Sequence, residues 1–476
     1  MSTPYLSSSS GYIFQAVIVA ILLGATPANA APFAYVVNSN SATSAPGSVS
    51  VIDSATNTVT ATIAVGLLPA GIALTPNGMF AYVTNSNSNS ISVISTATNT
   101  VTTTISLTQS PAGIAITPDG KFAYVANGPD TVSVISTSTN TVVGNISLGS
   151  GALQRSPVFV AISPNGTFAY VANRGAGTVS AIAISTNKVV ASVKVGGLPD
   201  SIGITPDGKF VYVASAGPGT ISVIAAATDT VVDTITGPTD TNSVAVSPNG
   251  VFVYVTGYNP GDIEAIATST NAVLADNPLP SAGAEGITFS PNGAYAYIAN
   301  QLSDVAMVIS TSTSSVVTNV PVGPYPVAVA FAPSPAVISA APNPASGLSN
   351  TFALTYSDVY GASDLGLVGV IFNSEIAALN SCAVFYAPAN NLVYLIDDAG
   401  TGSSSLTPGS GMLSNSQCTI TGSGTSVVSS GDNLTLNLAV TASSTYTGTQ
   451  NLFLFGEDNR GAKTGWVRED TWTPVL

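Results

Sequence analysis

Three polar residues with oxygen-bearing side chains recur at nearly equal spacing in the middle of the chain. Asp200, Asn242 and Glu285 are separated by 42 and 43 residues, and each lies six residues before a proline. Carboxylate and amide oxygens are ligands for Ca²⁺ and hydrogen-bond partners for polar molecules. If the fold brings these side chains together, they form either a binding site or a set of solvated groups. Arg155 and Arg174 add cations that suit a ligand carboxylate.

The chain contains no histidine, and this restricts the chemistry that these residues could support. Imidazole is the usual general base near neutral pH and the commonest metal ligand. The sequence therefore excludes Ser-His-Asp and Cys-His catalysis and most zinc, copper and haem sites. A hydrolase built on this chain would depend on a metal ion or on carboxylates alone. We expect no cofactor other than Ca²⁺.

Two further acidic runs lie near the C-terminus, Asp397-Asp398 and Glu457-Asp458-Asn459. Their oxygens could also hold Ca²⁺, but their spacing matches no known calcium loop such as the EF-hand. Solvated loops are the alternative interpretation.

The chain has two cysteines, Cys382 and Cys418. A single pair in an exported protein most often forms a disulfide, and two free buried thiols are the alternative. For a loop of this length the chain-entropy model gives about 3–4 kcal/mol of stabilisation.

A repeat of about 42 residues positions the polar residues named first. The segment TPDGKFAYVAN at 117–127 has close copies along the chain. A shorter copy that lacks the residues of the turn, PFAYVVN, begins at residue 32. The aligned tyrosines lie 47, 42, 46, 42, 42 and 43 residues apart: Tyr35, Tyr82, Tyr124, Tyr170, Tyr212, Tyr254 and Tyr297. The period indicates a four-stranded propeller blade or a helical repeat, and the period-2 alternation of β-branched residues favours strands. Because Phe and Tyr recur at period 2 in these copies, we interpret them as core residues rather than as a carbohydrate-stacking surface.

The two ends of the repeat array predict how the ring closes. The first copy lacks its innermost strand, and PVAVAFAP at 326–333 matches the missing strand. The two ends of the array therefore share one blade, which leaves only short, protected edges. Seven aligned tyrosines then predict an all-β, seven-bladed propeller over residues 31–334.

Strand direction places the loops that vary between copies on one face of this propeller, and such loops on a rigid scaffold usually carry recognition. The residue that enters each innermost strand should line the mouth of the central channel on that face. Five further polar residues are expected nearby: Asp240 and Tyr325 in loops between blades, and Tyr258, Asp262 and Asp304 after second strands. By alignment the seven mouth residues are Ala70, Ala112, Val158, Asp200, Asn242, Glu285 and Val327.

The motifs FAYVTN, FAYVAN and FVYVAS, each after TPNG, TPDG or SPNG, resemble the YVTN-type β-propeller repeats of bacterial and archaeal surface-layer and secreted proteins. The resemblance covers about residues 32–333 and implies a propeller fold. Members of that family range from structural proteins of the cell surface to lactonase-like enzymes, so the resemblance does not transfer an activity.

A second domain follows the repeats. Prolines between 333 and 344 indicate a linker at 335–345, and residues 346–476 alternate in a strand-like way, as in TFALTY at 351–356 and LTLNLAV at 434–440. Short strands at this spacing predict a β-sandwich. The segment resembles the immunoglobulin-like modules of bacterial surface proteins.

The N-terminus and the composition predict export. Residues 12–24 are apolar but too short for a comfortable membrane span, and Ala28-Asn29-Ala30 fits a cleavage site, so residues 1–30 are interpreted as a signal peptide. An uncleaved anchor is the alternative. Charged residues make up 7% of the chain, against about 25% in ordinary globular proteins. With a net charge of −14 and only nine Lys and Arg, the chain is not expected to bind nucleic acid.

Together these features predict a secreted or cell-surface protein that is not an enzyme. Its expected partner is an envelope component, another protein or a polysaccharide. The first alternative is a lactonase-like propeller hydrolase with a metal or carboxylate site at the channel mouth. The second is an assembly scaffold in the periplasm.

Overall fold

The computed structural model describes residues 33–40, 44–149, 155–217, 219–333, 336–342, 345–358, 362–377, 380–431, 433–458, 464 and 467–475. Internal contacts divide the chain into one compact unit at Pro32–Pro333 and a second that includes Ser334–Leu476. The signal peptide predicted at residues 1–30 lies outside the described residues. Among the residues that are described, no helix combines the length and hydropathy needed to cross a membrane.

The described residues of the first unit form seven antiparallel four-stranded sheets. Strands are numbered in chain order, and one short 3₁₀ turn, η1, spans Ser86–Ser88. The first strands of the sheets are β4 (Pro69–Leu74), β8 (Pro111–Ile116), β12 (Pro157–Ile162), β16 (Leu198–Ile204), β20 (Thr241–Val246), β24 (Ala284–Phe289) and β28 (Pro326–Phe331). The second strands are β1 (Phe33–Asn38), β5 (Phe80–Asn85), β9 (Phe122–Asn127), β13 (Phe168–Asn173), β17 (Phe210–Ala216), β21 (Phe252–Gly257) and β25 (Tyr295–Asn300).

The outer half of each sheet completes the blade. The third strands are β2 (Pro46–Asp53), β6 (Ser90–Ser95), β10 (Thr131–Ser136), β14 (Thr178–Ala183), β18 (Thr220–Ala225), β22 (Asp262–Ala267) and β26 (Val305–Ser310). The fourth strands are β3 (Thr58–Leu67), β7 (Thr100–Ser106), β11 (Thr141–Ser147), β15 (Lys188–Lys194), β19 (Thr230–Thr236), β23 (Val273–Pro278) and β27 (Ser315–Pro321).

Strands from the two ends of the repeat array share one sheet, in the order β28-β1-β2-β3. Val36 of β1 lies opposite Val329 of β28 in an antiparallel ladder. The edge that an open array would expose is therefore paired. This pairing confirms the predicted closure of an all-β propeller.

The turn between the first and second strands of a blade follows from its Pro-Asp-Gly or Pro-Asn-Gly sequence. In the turn before β9, Gly120 has a φ of +70°, which glycine adopts at no steric cost. The Asp119 carboxylate accepts a hydrogen bond from the Lys121 backbone N–H at 3.1 Å. The turn is thus fixed by its own side chains, as turn chemistry predicts.

The repeated tyrosines join neighbouring blades. Each is at most 2% exposed, so they are core residues, as predicted. The Tyr82 hydroxyl donates to Asn140 Oδ1 of the next blade at 2.6 Å, and Asn140 lies at the tip of the β10–β11 turn with a φ of +54°. The same hydroxyl-to-turn contact recurs from Tyr35 to Asn99, Tyr124 to Asn187, Tyr212 to Asn271, Tyr254 to Ser314 and Tyr297 to Asn57.

One blade departs from this pattern. The Tyr170 hydroxyl is buried and has no hydrogen-bond partner among the described residues. Asp229 occupies the corresponding turn position, with a φ of +51°. Burial, together with the nearby Asp229 charge, raises the pKa of Tyr170 to about 12.

The second unit is a sandwich of two sheets. Three strand pairs carry the predicted alternating segments: β31 (Ser349–Ser357) with β39 (Asn433–Ala442), β32 (Leu365–Asn373) with β40 (Gln450–Asp458), and β33 (Cys382–Ala387) with β34 (Leu392–Ile396). The remaining elements are β29 (Ala336–Ala341), β30 (Ala345–Ser346), η2 (Ala362–Asp364), β35 (Ser403–Leu406), β36 (Met412–Ser414), β37 (Cys418–Thr421), η3 (Gly422–Gly424), β38 (Ser426–Ser430) and β41 (Val467–Thr473). One sheet has the order β29-β31-β39-β37-β36 with β38 paired to β39, and the other has the order β30-β41-β40-β32-β33-β34-β35.

The two sheets of the sandwich share an apolar core. Phe352 of one sheet contacts Phe372 and Trp472 of the other, with ring centroids 4.9 and 5.4 Å apart. The Cys382–Cys418 disulfide is present, and it joins β33 to β37 across the sandwich. The predicted pairing of the two cysteines is therefore confirmed.

The segment predicted as a linker, residues 335–345, is largely a strand of the sandwich. β29 pairs with β31, and Ala340 lies opposite Leu354. The prolines flank this strand rather than interrupt it, and proline is tolerated at the ends of an edge strand. The sequence AVISAA between them therefore extends the sheet.

Candidate ligand-binding site

A central cavity of about 270 Å³ is lined by residues of all seven first strands. This arrangement identifies those strands as the innermost ones. All seven predicted mouth residues lie in its wall: Ala70, Ala112, Val158, Asp200, Asn242, Glu285 and Val327.

Each polar mouth residue lies in a bulge at the start of its strand. In β16 the ladder with β17 passes from Pro199 directly to Ser201, so Asp200 has no partner in the register. Asn242 and Glu285 are skipped in the same way. A β-bulge leaves one residue unpaired and redirects its side chain. The bulges therefore aim these three side chains into the channel.

The channel wall has a polar side and an apolar side. Below Asp200 and Asn242 the wall continues with Ser201 and Ser243, whose hydroxyls lie 3.5 Å apart. The other side contains glycine at positions where neighbouring strands approach closely. A Cβ atom on Gly113 would lie 2.7 Å from the backbone of the next blade, so only glycine fits there.

A second, outer cavity of about 370 Å³ lies over the polar side of the mouth. It shares Asp200, Asn242 and Glu285 with the channel. Loops that follow second strands and loops between blades supply the other polar residues, as expected from strand direction: Arg174, Asp240, Tyr258 and Gln301.

Three side-chain contacts cross between blades at this mouth. The Arg174 Nε lies 2.7 Å from Asp200 Oδ1. Asn242 Nδ2 donates to Glu285 Oε2 at 2.6 Å. The Tyr258 hydroxyl lies 2.6 Å from Gln301 Oε1 and donates to it. These contacts hold the polar groups in one arrangement before any ligand arrives.

Burial changes the acidity of the mouth residues. It raises the pKa of Glu285, and the Asp200 charge adds to this, while the Asn242 hydrogen bond and the Arg174 charge oppose it. Burial also raises the pKa of Asp200, against the opposing effect of Arg174. The pKa of Tyr258 is raised by burial and by the charge of Glu285. Carboxyl groups whose pKa is shifted by burial and by a charged neighbour are common at functional sites.

Arg155 does not join the other predicted site residues. Its backbone N–H donates to the Asp130 carboxylate, and its Nη1 donates to Ser192 Oγ of β15 at 3.2 Å. β15 is an outermost strand, so the guanidinium is held away from both cavities. Alignment of the repeats assigned Arg155 to the correct blade but did not predict the direction of its side chain. The hydroxyl that accepts from its guanidinium lies 37 residues later, on another strand of the blade.

The acidic pair Asp397-Asp398 stabilises its own loops. Asp397 accepts a hydrogen bond from the Thr401 backbone N–H at 3.0 Å. Asp398 accepts from the Ser416 backbone N–H and hydroxyl, at 3.0 and 2.8 Å. These contacts agree with the structural interpretation of the pair.

A different set of acidic residues converges in the sandwich. Oxygens of Asp358, Asp364 and Asp458 all lie within 4.8 Å of one another, and Asp358 and Asp458 are buried. Asp458 belongs to the acidic run named from the sequence, whereas Asp358 and Asp364 had no recognisable spacing to it. Three oxygen ligands at this separation could hold Ca²⁺. Asn459 of the same run lies outside the described residues.

A fourth acidic group lies on β22 and β23. Glu264 is only 9% exposed, and it lies directly opposite Asp276 in the ladder. Burial, followed by the charges of Asp276 and Asp262, raises the pKa of Glu264 to about 7. Sequence analysis missed this residue: the equivalent position of the other third strands carries serine or methionine, and Glu264 lies outside the turn and mouth positions that the repeat alignment singled out.

Two family models match parts of the propeller. One, described as a YNCE-like beta-propeller, matches residues 108–256. The other, described as a lactonase with a 7-bladed beta-propeller, matches residues 34–148. Both agree on the fold of the first unit. No curated protein matches the chain.

Two solved structures show the same fold. The hydrazine synthase of Kuenenia stuttgartiensis is 19% identical with a TM-score of 0.50, over 71% of this chain and 95% of that chain. A functionally unknown protein from Desulfotomaculum acetoxidans is 22% identical with a TM-score of 0.54, over 63% of this chain and 98% of that chain. At these identities the likeness shows the fold alone.

Proposed function

We propose that this protein is a secreted or cell-surface binding protein, not an enzyme, whose propeller holds its ligand at the channel mouth. The observation that carries the proposal is that the polar residues of the mouth all lie on one side of it. Three consecutive blades direct Asp200, Asn242 and Glu285 into a cavity whose other four mouth residues are alanine or valine.

The fold itself does not require these polar groups. Ala70, Ala112, Val158 and Val327 occupy the same position in blades of the same architecture, so closure of the ring tolerates a small apolar residue there. Burying a carboxylate such as Glu285 costs free energy unless something compensates for it. Departures from local rules of this kind are expected at functional sites.

Export and an envelope partner are supported by three features. The YVTN-type motifs resemble repeats of surface-layer and secreted proteins. The Cys382–Cys418 disulfide suits an oxidising compartment. The charge-poor surface and the appended sandwich, interpreted as an immunoglobulin-like module, suit a protein that contacts the cell envelope. We therefore place the protein outside the cytoplasm, with an envelope polysaccharide as its partner.

Co-sedimentation with purified envelope polysaccharide tests this function. We expect the protein to pellet with the polysaccharide and the variants Asp200→Asn and Glu285→Gln to remain in solution. Asp233→Asn is the matched control, because it removes the same charge from an exposed position on the outer strand β19. Equal pelleting by all variants, or none by the wild type, would overturn the proposal.

A hydrolase is the second candidate, favoured by the lactonase-type match at residues 34–148. With no histidine, Glu285 would act as the general base, and its raised pKa brings it closer to neutral pH. The matched segment ends before Asp200, so it does not include the acidic residues. Hydrolysis of a sugar lactone that is lost in Glu285→Gln would support this candidate, and no hydrolysis by the wild type would exclude it for that substrate.

A further inference from the structure

The charges at the mouth call for a positively charged ligand. Three carboxylates, those of Asp200, Asp240 and Glu285, line the outer cavity with a single guanidinium, that of Arg174. Arg174 is 2.7 Å from Asp200 and compensates that one carboxylate. Glu285, the more enclosed of the remaining two, has no cationic side chain in direct contact among the described residues. A ligand cation would supply the missing charge.

A divalent metal ion fits this mouth poorly. Ca²⁺ takes six to eight oxygen ligands at about 2.3–2.6 Å, and a fixed guanidinium beside Asp200 repels it. Among the described residues, the set of three carboxylates that converges within 4.8 Å lies in the sandwich and not at the mouth. An organic cation, which needs only two or three acceptors, fits better.

Hydrogen bonding at the mouth also calls for a donor. Two donors at the mouth are engaged with acceptors of the protein itself: Asn242 Nδ2 donates to Glu285, and the Tyr258 hydroxyl donates to Gln301. Carboxylates accept only, and each has about four lone-pair sites, of which these contacts use few. A primary ammonium group has three donors and no acceptor, so it matches this excess of acceptors.

The depth of the acidic groups limits the shape of the ligand. Asp200, Asn242 and Glu285 line both the outer cavity and the channel, so they lie at the boundary between the two. The wall of the channel beyond them includes Ile72 and Ile114, so an ammonium carried past the acidic groups on a long alkyl stem, such as a lysine side chain, would leave its carboxylate acceptors. A compact ring with a directly attached ammonium would stop at their level and rest its C–H face on the apolar wall.

From these observations, and resting on the binding function proposed above, we infer that the channel mouth recognises the primary ammonium group of an amino sugar. Asp200 and Glu285 accept from the ammonium, and Arg174 and Asn242 position the two carboxylates. The ligand class is therefore a polysaccharide that contains hexosamine units without an N-acetyl group.

The acidity of Glu285 gives this recognition a pH dependence. Burial raises the pKa of Glu285 above its ordinary value, so the side chain takes up a proton at a higher pH than an exposed glutamate. Protonation removes the charge that the ammonium contacts. Binding should thus weaken as pH falls through this raised pKa, while the ligand amine stays charged.

Calorimetry with a glucosamine oligomer and an N-acetylglucosamine oligomer of equal length tests the inference. The two probes differ only at the amine. We expect the glucosamine oligomer to bind at least about tenfold more tightly, since a charge-assisted hydrogen bond contributes roughly 1.5–3 kcal/mol. Glu285→Gln and Asp200→Asn should each weaken it by about tenfold or more, and Asp233→Asn should leave it unchanged.

The other outcomes separate this inference from the function on which it rests. Equal binding of the two oligomers, lost in Glu285→Gln, would overturn ammonium recognition but leave the mouth as a binding site. Binding of Ca²⁺ alone, lost in the same variant, would also overturn it. Lysine amide binding as tightly as the amino sugar would refute the compact-ring part. If no probe binds but polysaccharide pelleting still depends on Glu285, only the inference fails; if neither occurs, both fail.

Discussion

The tyrosine contacts between blades predict that two chemically identical substitutions have different effects. Tyr82 and Tyr170 occupy the same position in different blades, and both are 1% exposed. The Tyr82 hydroxyl donates to Asn140 at 2.6 Å, whereas the Tyr170 hydroxyl has no partner among the described residues. Tyr82→Phe breaks a hydrogen bond, and Tyr170→Phe removes a buried hydroxyl that makes none.

The structure sets the size of the two effects. Losing one hydrogen bond and leaving its partner unsatisfied costs about 1–2 kcal/mol. A propeller of about 300 residues unfolds with an entropy near 0.6 kcal/mol/K, so 1 kcal/mol moves its unfolding midpoint by about 1.6 °C. Tyr82→Phe should therefore lower the midpoint by about 2–3 °C, and Tyr170→Phe should leave it unchanged or raise it by about 1–2 °C.

Asp229 provides the complementary test. Asn tolerates a positive φ, and six of the seven corresponding turns carry Asn or Ser as the acceptor. Asp229→Asn should give the Tyr170 hydroxyl a partner and raise the midpoint by about 1–2 °C. Most of this gain should disappear when Tyr170→Phe is added.

Differential scanning calorimetry measures all of these variants. The propeller transition is identified as the one that does not shift when the Cys382–Cys418 disulfide is reduced, since that disulfide lies in the sandwich. Equal losses for Tyr82→Phe and Tyr170→Phe would refute the account of these contacts. So would an Asp229→Asn gain that persists without the Tyr170 hydroxyl.

Three further predictions use the same assay. The pKa of Glu264 is raised from 4.5 to about 7 in the folded state, so its contribution to folding stability should fall as pH rises from 4.5 to 7. Glu264→Gln should therefore raise the free energy of unfolding at pH 8 by about 3 kcal/mol and change it little at pH 4. An equal gain at both pH values would contradict this prediction. Replacing Cys382 and Cys418 by serine should destabilise the sandwich by about 3–4 kcal/mol and leave the propeller transition in place; a shift of both transitions would be unexpected. Saturating Ca²⁺ should raise the unfolding midpoint of the sandwich in the wild type and in Asp397→Asn, but not in Asp458→Asn, which removes one of the three converging carboxylates. A rise that survives in Asp458→Asn would show that the ion binds elsewhere.

The propeller could be predicted from the sequence because each repeat carries its own turn chemistry. Pro-Asp-Gly at 118–120 fixes one turn, and Thr-Asn-Thr at 139–141 fixes another, so strand bounds follow within a residue or two. Alignment of the copies then gave the seven mouth residues, since equivalent positions in a closed ring must face the same axis. The bulges that aim Asp200 and Glu285 inwards were not predictable, because they depend on register with the second strand.

Long-range contacts account for most of what the sequence did not show. Five of the blade tyrosines contact a residue 58 to 64 positions away, and Tyr297 contacts Asn57 at a separation of 240 residues. Alignment of repeats gives positions within a blade, but it does not say which blade a side chain reaches. The same limit applies to Arg155 and to the convergence of Asp358 with Asp458.

The sandwich was predicted only in part. Segments with strong apolar alternation, such as LTLNLAV in β39, were identified correctly. β35 and β38 are not recognisable as strands from the sequence, because their segments SSSL and SVVSS are rich in serine. Such strands are stabilised by the ladder partners that the rest of the sheet supplies, and local propensity does not reveal them.

The most direct test of the proposed binding site is a crystal structure of the protein grown with a glucosamine oligomer. Our account predicts density for a sugar at the channel mouth, with its amine within hydrogen-bonding distance of Asp200 and Glu285 and its ring against the apolar wall. Sugar density confined to another surface, while the mouth holds only solvent, would contradict it.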